Sequence, residues 1–128
     1  MYQLHPKAVL VVDDDASMLK GMRRLLRQHG YDAVPFETGR ELRDHDDFDR
    51  AFCIILDVNL SDGSGIELRH QLKDRGVALP VIYITGNDSH ATRMAALASG
   101  CIAYLTKPFT GQSLIESIEK AAAVAAIV

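Results

Sequence analysis

Cysteine is scarce in this sequence, and the two residues that occur suggest no site of their own. Cys53 and Cys101 both fall in apolar, strand-like runs, with no CxxC spacing and no histidine-rich neighbourhood. Free cysteine is among the most buried residue types, so both are predicted to be reduced thiols in the core. Neither a disulfide nor a zinc site is expected.

A basic field, a long hydrophobic run and an apolar leader are also missing. Acidic residues outnumber basic ones by 17 to 14, and the formal net charge of −3 argues against direct nucleic-acid binding. No apolar run approaches the roughly 20 residues of a membrane span, and the start, MYQLHPK, lacks the apolar stretch of a signal peptide. We therefore expect a cytoplasmic protein that binds neither nucleic acid nor membrane by itself.

The remaining composition is that of an ordinary globular domain. Hydrophobic residues make up 48% of the 128-residue chain and charged residues 24%, which argues against disorder. A chain of this length can bury about two thirds of the surface that its unfolded form exposes. We predict one domain spanning residues 1–128.

Apolar, strand-like runs alternate with helical patterns along the chain. Five such runs are found, at residues 9–12, 32–36, 52–56, 81–84 and 102–106. After the first run, apolar residues at i, i+4, i+7 and i+8 from Met18 predict an amphipathic helix that stops at Gly30. Three further helices are predicted to begin at capping residues, namely Thr38 with Glu41, Ser64 with Glu67, and Asp88 or Ser89. The last two of these helices are predicted to end at Gly76 and Gly100. A last helix is predicted to begin near Thr110.

The alternation of strands and helices predicts an α/β fold. Continuous apolar strands indicate a parallel sheet covered by helices on both faces, because each crossover returns right-handed across the sheet. Pro35 removes a hydrogen-bond donor from the second strand, which places that strand at a sheet edge. We predict a doubly wound, five-stranded parallel sheet of order 2-1-3-4-5, the flavodoxin-like (βα)5 arrangement.

Four of the runs end on residues that can bind a metal ion or a phosphate. Asp13, Asp14 and Asp15 follow the first run, Asp57 the third, Thr85 the fourth and Lys107 the fifth. In open α/β sheets ligands bind outside the carboxyl ends of the strands, so these groups are expected to share one site. Asp15 alone is the ordinary N-cap of the helix that follows.

Carboxylates gathered at one sheet edge repel each other, and a hard divalent cation with oxygen ligands relieves that repulsion. Mg²⁺ is the predicted cofactor, because no histidine or cysteine lies at a ligand spacing here. With the cation in place, a carboxylate can attack a phosphoryl group while the Lys107 ammonium and the Thr85 hydroxyl bind its oxygens. The product of that step is an aspartyl phosphate.

The segments VLVVDDD, ILDVNLSDGSGIEL, YITG and YLTKPF together form a specific set of motifs. They resemble the receiver domain of two-component response regulators, and most of all the receivers of LuxR-type transcriptional regulators. The resemblance covers the chain from Lys7 to Ala123, which defines the predicted core of the domain. It implies a phosphorylation-activated signalling switch rather than a turnover enzyme, one that assists its own aspartyl phosphorylation and dephosphorylation.

The resemblance also implies a role for each motif residue. Asp57 is the expected phosphoacceptor, Asp14 a direct Mg²⁺ ligand and Asp13 a ligand through water, with Asp57 and the backbone carbonyl of Asn59 completing the metal site. Lys107 is expected to bind the phosphoryl group.

The resemblance further implies a switch and a peptide-bond geometry. Thr85 is expected to turn towards the phosphoryl group while Tyr104, the switch aromatic, turns inward. The Lys107–Pro108 bond is expected to be cis.

Partners follow from the same resemblance. The expected phosphoryl donor is a phosphohistidine on a sensor histidine kinase or a histidine phosphotransfer protein, docked near the first helix, with Met18, Met22 and the loop around Ser61 as candidate contacts. Receivers in this family often have proline at the position of Ser61. The fourth helix, fifth strand and fifth helix form the expected face for a homodimer, an output domain or an output protein that controls transcription.

Two other functions fit parts of the pattern. Asp13-x-Asp15 with Thr85 and Lys107 also resembles the haloacid-dehalogenase phosphatases, in which the first aspartate is the nucleophile. That alternative leaves Asp57 unexplained and usually needs a longer chain. A receiver-like binding module that works without phosphate is the second alternative.

Overall fold

The computed structural model describes residues 7–127, with side chains up to residue 125. The prediction that no apolar leader is present concerns the first residues of the chain, which lie outside this range. The strands are β1 (Ala8–Val12), β2 (Asp32–Phe36), β3 (Ala51–Asp57), β4 (Asn59–Leu60), β5 (Gly63–Ser64), β6 (Val81–Thr85) and β7 (Ala103–Thr106). The helices are α1 (Ala16–Gln28), α2 (Gly39–Arg43), α3 (Gly65–Asp74), α4 (His90–Ala98) and α5 (Gly111–Ile127).

Five of the strands form one parallel sheet in the order β2-β1-β3-β6-β7. This is the predicted 2-1-3-4-5 order, because the short strands β4 and β5 form a separate antiparallel pair between β3 and α3. The strand that carries Pro35 lies at the edge, beside β1, as predicted. The fold class is therefore confirmed, and the β4–β5 hairpin is an addition to it.

Helices cover both faces of the sheet, and alternate strand residues face opposite layers. Val9 and Val11 belong to a core cluster shared with α1 and α5, whereas Leu10 and Val12 belong to a cluster shared with α2, α3 and α4. These four residues, three valines and one leucine, are each at most 1% exposed. Burial on both faces explains why the strands are continuously apolar instead of alternating.

Local signals begin and end the helices as expected. Asp15 caps α1 by accepting hydrogen bonds from two backbone N–H groups, and Thr38 and Ser64 cap α2 and α3. Ser89 rather than Asp88 caps α4, which resolves the alternative that the sequence left open. Glycines in the left-handed region follow α1, α3 and α4, at Gly30, Gly76 and Gly100.

One burial prediction, that for Cys101, was wrong in detail. Cys53 is fully buried, but Cys101 is only half-buried. In α4 only Ala96 is buried, while Met94 and Leu97 are 52% and 55% exposed. Among the described residues, no helix is both long and apolar enough to cross a membrane.

Candidate functional site

The sheet order brings the predicted site residues together at one end of the sheet, where the carboxyl ends of the parallel strands lie. Asp57 is the last residue of β3 and Thr85 the last residue of β6, and these two strands are neighbours. Asp13 directly follows β1, the other neighbour of β3, and Lys107 directly follows β7. Four separate segments therefore supply the site, as expected for parallel strands that share one carboxyl end.

The carboxylates of Asp13, Asp14 and Asp57 form a compact acidic cluster. Oxygen atoms from these three residues all lie within 4.8 Å of one another. Asp13 is fully buried and Asp57 is 4% exposed, whereas Asp14 faces solvent. Two charges about 4 Å apart repel by about 4 kcal/mol at an effective dielectric constant of about 20. This all-oxygen donor set, open to solvent through Asp14, fits a hard divalent cation such as Mg²⁺.

Lys107 joins two of these carboxylates. Its Nζ atom donates hydrogen bonds to Oδ2 of Asp13 at 2.9 Å and to Oδ2 of Asp57 at 2.8 Å. Burial lowers the pKa of the lysine, but the hydrogen bonds and charges of the two carboxylates outweigh burial, so its pKa lies above the ordinary value. The side chain is thus a fixed ammonium group within the acidic cluster. The Lys107–Pro108 peptide bond is cis, as predicted.

A second group of hydrogen bonds connects Asp57 to Thr85. The backbone N–H of Asn59 donates to Oδ1 of Asp57 at 2.9 Å, and Nδ2 of Asn59 donates to Oγ1 of Thr85 at 3.1 Å. The same Thr85 oxygen accepts from the backbone N–H of Asn87 at 3.0 Å. Thr85 is fully buried, so Asn59 and Asn87 hold its hydroxyl in one orientation.

Tyr104 lies apart from these groups and points to the surface. Its hydroxyl donates to Oδ1 of Asp88 at 2.9 Å, and the Arg93 guanidinium lies 4.8 Å from the centre of its ring. Burial, and then the hydrogen bond and charge of Asp88, raise the pKa of Tyr104 to about 12. The structure therefore brings Asp13, Asp14, Asp57, Asn59, Thr85 and Lys107 together and places Tyr104 in an outward position.

Two residues that support the site were missed in the sequence. Gly65 begins α3 so close to β3 that a Cβ atom there would lie 2.2 Å from the carbonyl oxygen of Asp57. The Asp62 carboxylate accepts from the backbone N–H groups of Gly39 and Arg40, at 3.0 and 2.9 Å, and so ties the β4–β5 hairpin to α2. The two glycines of the SDGSG segment could have indicated the close approach at Gly65. No neighbouring residue in the sequence indicates the pairing of Asp62 with α2.

A surface groove lies beside the site between α1 and the start of α5. Met18, Leu25 and Phe109 line it, and all three are half-buried. Met22 also lines the groove, but it is only 3% exposed and packs in the core cluster of α1 and α5, so its role as a docking contact stays a prediction.

Sequence relatives agree with this geometry. The family described as the response regulator receiver domain matches residues 9–119. Response regulator MprA of Mycolicibacterium vanbaalenii is 37% identical over 110 residues, which are 86% of this chain and 48% of that protein. The chain spans about half the length of the curated relatives it matches.

Solved structures show the same fold. The signal receiver domain of a LuxO repressor protein from Vibrio parahaemolyticus has a TM-score of 0.88 and 26% identity, and the match covers 97% of this chain and 95% of that one. The solution structure of the beryllofluoride-activated NtrC4 receiver domain dimer has a TM-score of 0.80 and 28% identity, with 93% and 98% covered. The resemblance of the sequence motifs is confirmed, and the chain belongs to the response regulator receiver domain family.

Proposed function

We propose that Asp57 is the residue on which this phosphorylation-activated signalling switch accepts its phosphoryl group. Receiver domains are signalling proteins rather than turnover enzymes, and family membership already establishes this class of protein. What we propose is which residues form the phosphorylation site. Its main support is the position of Asp57, whose two carboxylate oxygens are held by the Asn59 N–H group and by Lys107. These two contacts fix the orientation of the Asp57 carboxylate at the carboxyl end of the sheet.

The chemical step transfers phosphorus from nitrogen to oxygen. An oxygen of Asp57 attacks the phosphorus of a phosphohistidine whose ring is protonated on its other nitrogen, the P–N bond breaks, and the ring leaves as neutral imidazole with the electron pair of that bond. Lys107 balances negative charge on the phosphoryl oxygens, and the Thr85 hydroxyl turns from Asn59 towards them. The same residues would assist hydrolysis of the phosphate later.

Asp13, Asp14, Asp57 and the backbone carbonyl of Asn59 are the proposed holders of Mg²⁺. When bound, the ion supplies positive charge that offsets the repulsion within the acidic cluster and on the phosphoryl group. Receiver domains generally bind Mg²⁺ at an acidic pocket, and the oxygen cluster described above fits that ion. The individual ligand assignments are part of the proposal.

The proposed partners occupy two surfaces. A sensor histidine kinase or histidine phosphotransfer protein docks on the groove lined by Met18, Leu25 and Phe109 and on the exposed loop around Ser61. A homodimer, output domain or output protein uses the face formed by α4, β7 and α5, where Met94 and Leu97 are exposed. The NtrC4 receiver is a dimer in its beryllofluoride-activated form, which supports the dimer proposal. We also propose that residues 1–128 form a single domain. We further propose a cytoplasmic location, because response regulators are generally cytoplasmic.

Phosphorylation by acetyl phosphate in the presence of Mg²⁺ tests the site. Intact mass spectrometry should show a gain of one phosphate group in the wild type and none in Asp57→Ala. Loss of labelling in Asp13→Ala with Asp57→Ala unaffected would support the phosphatase alternative instead. The Asp15 carboxylate already caps α1, which argues against the phosphatase alternative, because that alternative includes Asp15 in its motif. If no donor labelled the wild type, the phosphate-independent binding module would be favoured.

A further inference from the structure

A chain of contacts leads from the phosphoacceptor towards α4. Asn59 connects Asp57 to the Thr85 hydroxyl, and Thr85 in turn accepts from the backbone N–H of Asn87. A rotation of the Thr85 side chain that carries Oγ1 towards Asp57 would therefore release the backbone N–H of Asn87. Asp88 follows directly in the same short segment before α4.

Asp88, Arg93 and Tyr104 form a closed group of side chains, which we call the Asp88 latch. One carboxylate oxygen of Asp88 accepts from the Tyr104 hydroxyl at 2.9 Å, and the other pairs with Nη2 of Arg93 at 2.8 Å. The Arg93 guanidinium also lies over the Tyr104 ring, 4.8 Å from its centre. Each member of the latch thus contacts the other two, and together they fix the outward position of the tyrosine.

The latch is not needed to begin α4 or to complete the core. Ser89 supplies the N-cap of α4, and both Asp88 and Arg93 are exposed, with side chains 37% and 46% accessible. Salt bridges this exposed contribute little to folding. The Tyr104 ring, in contrast, is partly buried against the core cluster shared with α2, α3 and α4. The specific result of the three contacts is therefore the orientation of Tyr104.

We propose that Asp88 and Arg93 are positioning residues that hold Tyr104 outward and so oppose activation of the switch. The inference rests on the proposed function, in which Thr85 turns to the phosphoryl group while Tyr104 turns inward. The two contacts to Tyr104, from Asp88 and from Arg93, require the outward arrangement, so their free energy favours the inactive state. A phosphoryl group at Asp57 must offset them, and removing them should ease that shift.

Binding of beryllium fluoride with Mg²⁺, measured by calorimetry, tests the latch. In Asp88→Ala and in Arg93→Ala, we expect binding about two- to fivefold tighter than in the wild type, the effect of one lost exposed polar contact. Asp46→Ala is the matched control, because Asp46 is an exposed aspartate in the loop before β3 and should leave affinity unchanged. A purely structural role predicts equal or weaker binding, so tighter binding is the diagnostic sign.

A double-mutant cycle with Tyr104→Phe assigns the effect to the latch. In the Tyr104→Phe background the hydroxyl bond is already absent, so Asp88→Ala should add little further tightening. Unchanged affinity in both latch variants, or an undiminished gain in the Tyr104→Phe background, would overturn the inference. The Asp57→Ala variant distinguishes failure of the latch from failure of the proposed function. If Asp57→Ala binds beryllium fluoride as the wild type does, the proposed function itself fails.

Discussion

Gly65 shows how one small residue determines the loop after Asp57, the proposed phosphoacceptor. Its backbone N–H donates to the carbonyl of Val58 at 2.8 Å, and an added Cβ atom would lie 2.2 Å from the backbone oxygen of Asp57. Backbone at both sides of the contact cannot yield as a flexible side chain would. Close approach of α3 to the end of β3 therefore requires glycine at this position.

Replacing this glycine should destabilise the domain. We expect Gly65→Ala to lower the free energy of unfolding by about 1–3 kcal/mol, the usual range for overpacking. Urea denaturation measures the change, with Gly21→Ala as the control, since nothing lies within 4 Å of a Cβ at that exposed position in α1. Gly21→Ala should instead gain about 0.5–1 kcal/mol from higher helix propensity. Equal effects of the two substitutions would contradict this account.

The pKa of Tyr104 is raised first by burial and then by the Asp88 contact of the latch. Its pKa of about 12 lies above the ordinary value of about 10, so the folded state favours the neutral phenol. This contribution to stability is fully present below about pH 10 and is lost as pH rises towards the folded-state pKa. The phenolate absorbance of the wild type minus that of Tyr104→Phe should have its midpoint near the raised value. Asp88→Ala should lower this midpoint, and an ordinary pKa in the wild type would speak against the latch.

At the scale of elements, what could be predicted follows from the range of the interactions. Helix caps, closing glycines and the edge strand depend on neighbours a few residues apart, and they were predicted. The β4–β5 hairpin has only two residues in each strand, too short for any periodic signal. Arg69 was not predicted to be buried, yet it is 7% exposed and donates to the carbonyls of Leu79 and Gly100. Such contacts between distant segments leave no trace in local patterns.

The attachment of this hairpin to α2 is expected to matter for both stability and phosphorylation. Backbone hydrogen bonds from Gly39 and Arg40 hold the pKa of the Asp62 carboxyl below its usual range. Asp62→Ala should cost about 1 kcal/mol of unfolding free energy, as for loss of a helix cap. It should also slow labelling of Asp57, because the hairpin carries Asn59. Denaturation and acetyl phosphate kinetics measure the two effects.

The pH dependence of the Asp62 contribution has a definite sign. The carboxylate is stabilised only when ionised, so the difference between the wild type and Asp62→Ala is present above the ordinary carboxyl pKa and shrinks as pH falls through the folded-state pKa. The exposed Asp46→Ala variant serves as the reference for loss of one acidic charge. A stability difference that is independent of pH would contradict the proposed role of the ionised group.

For the whole molecule, the sheet order was the decisive prediction. Placing the first strand beside the third brings Asp13 to Asp57, two residues 44 positions apart in the chain. The positions of Thr85 and Lys107 then follow from β6 and β7, the two strands on the other side of β3. The outward orientation of Tyr104 could not be predicted, because it depends on the side chains of Asp88 and Arg93 rather than on topology.

Because the acidic cluster draws on β1 and β3 together, binding of Mg²⁺ should stabilise the whole domain. A ligand present at ten times its Kd that binds only the folded state adds about 1.4 kcal/mol, which raises the Tm of a domain of this size by a few degrees. Thermal unfolding in MgCl₂, against NaCl of equal ionic strength, measures this shift. Asp13→Asn should remove most of it by taking one carboxylate from the cluster. Chelation with EDTA should return the wild type to its lower Tm, whereas an equal shift in Asp13→Asn would assign Mg²⁺ to some other part of the surface.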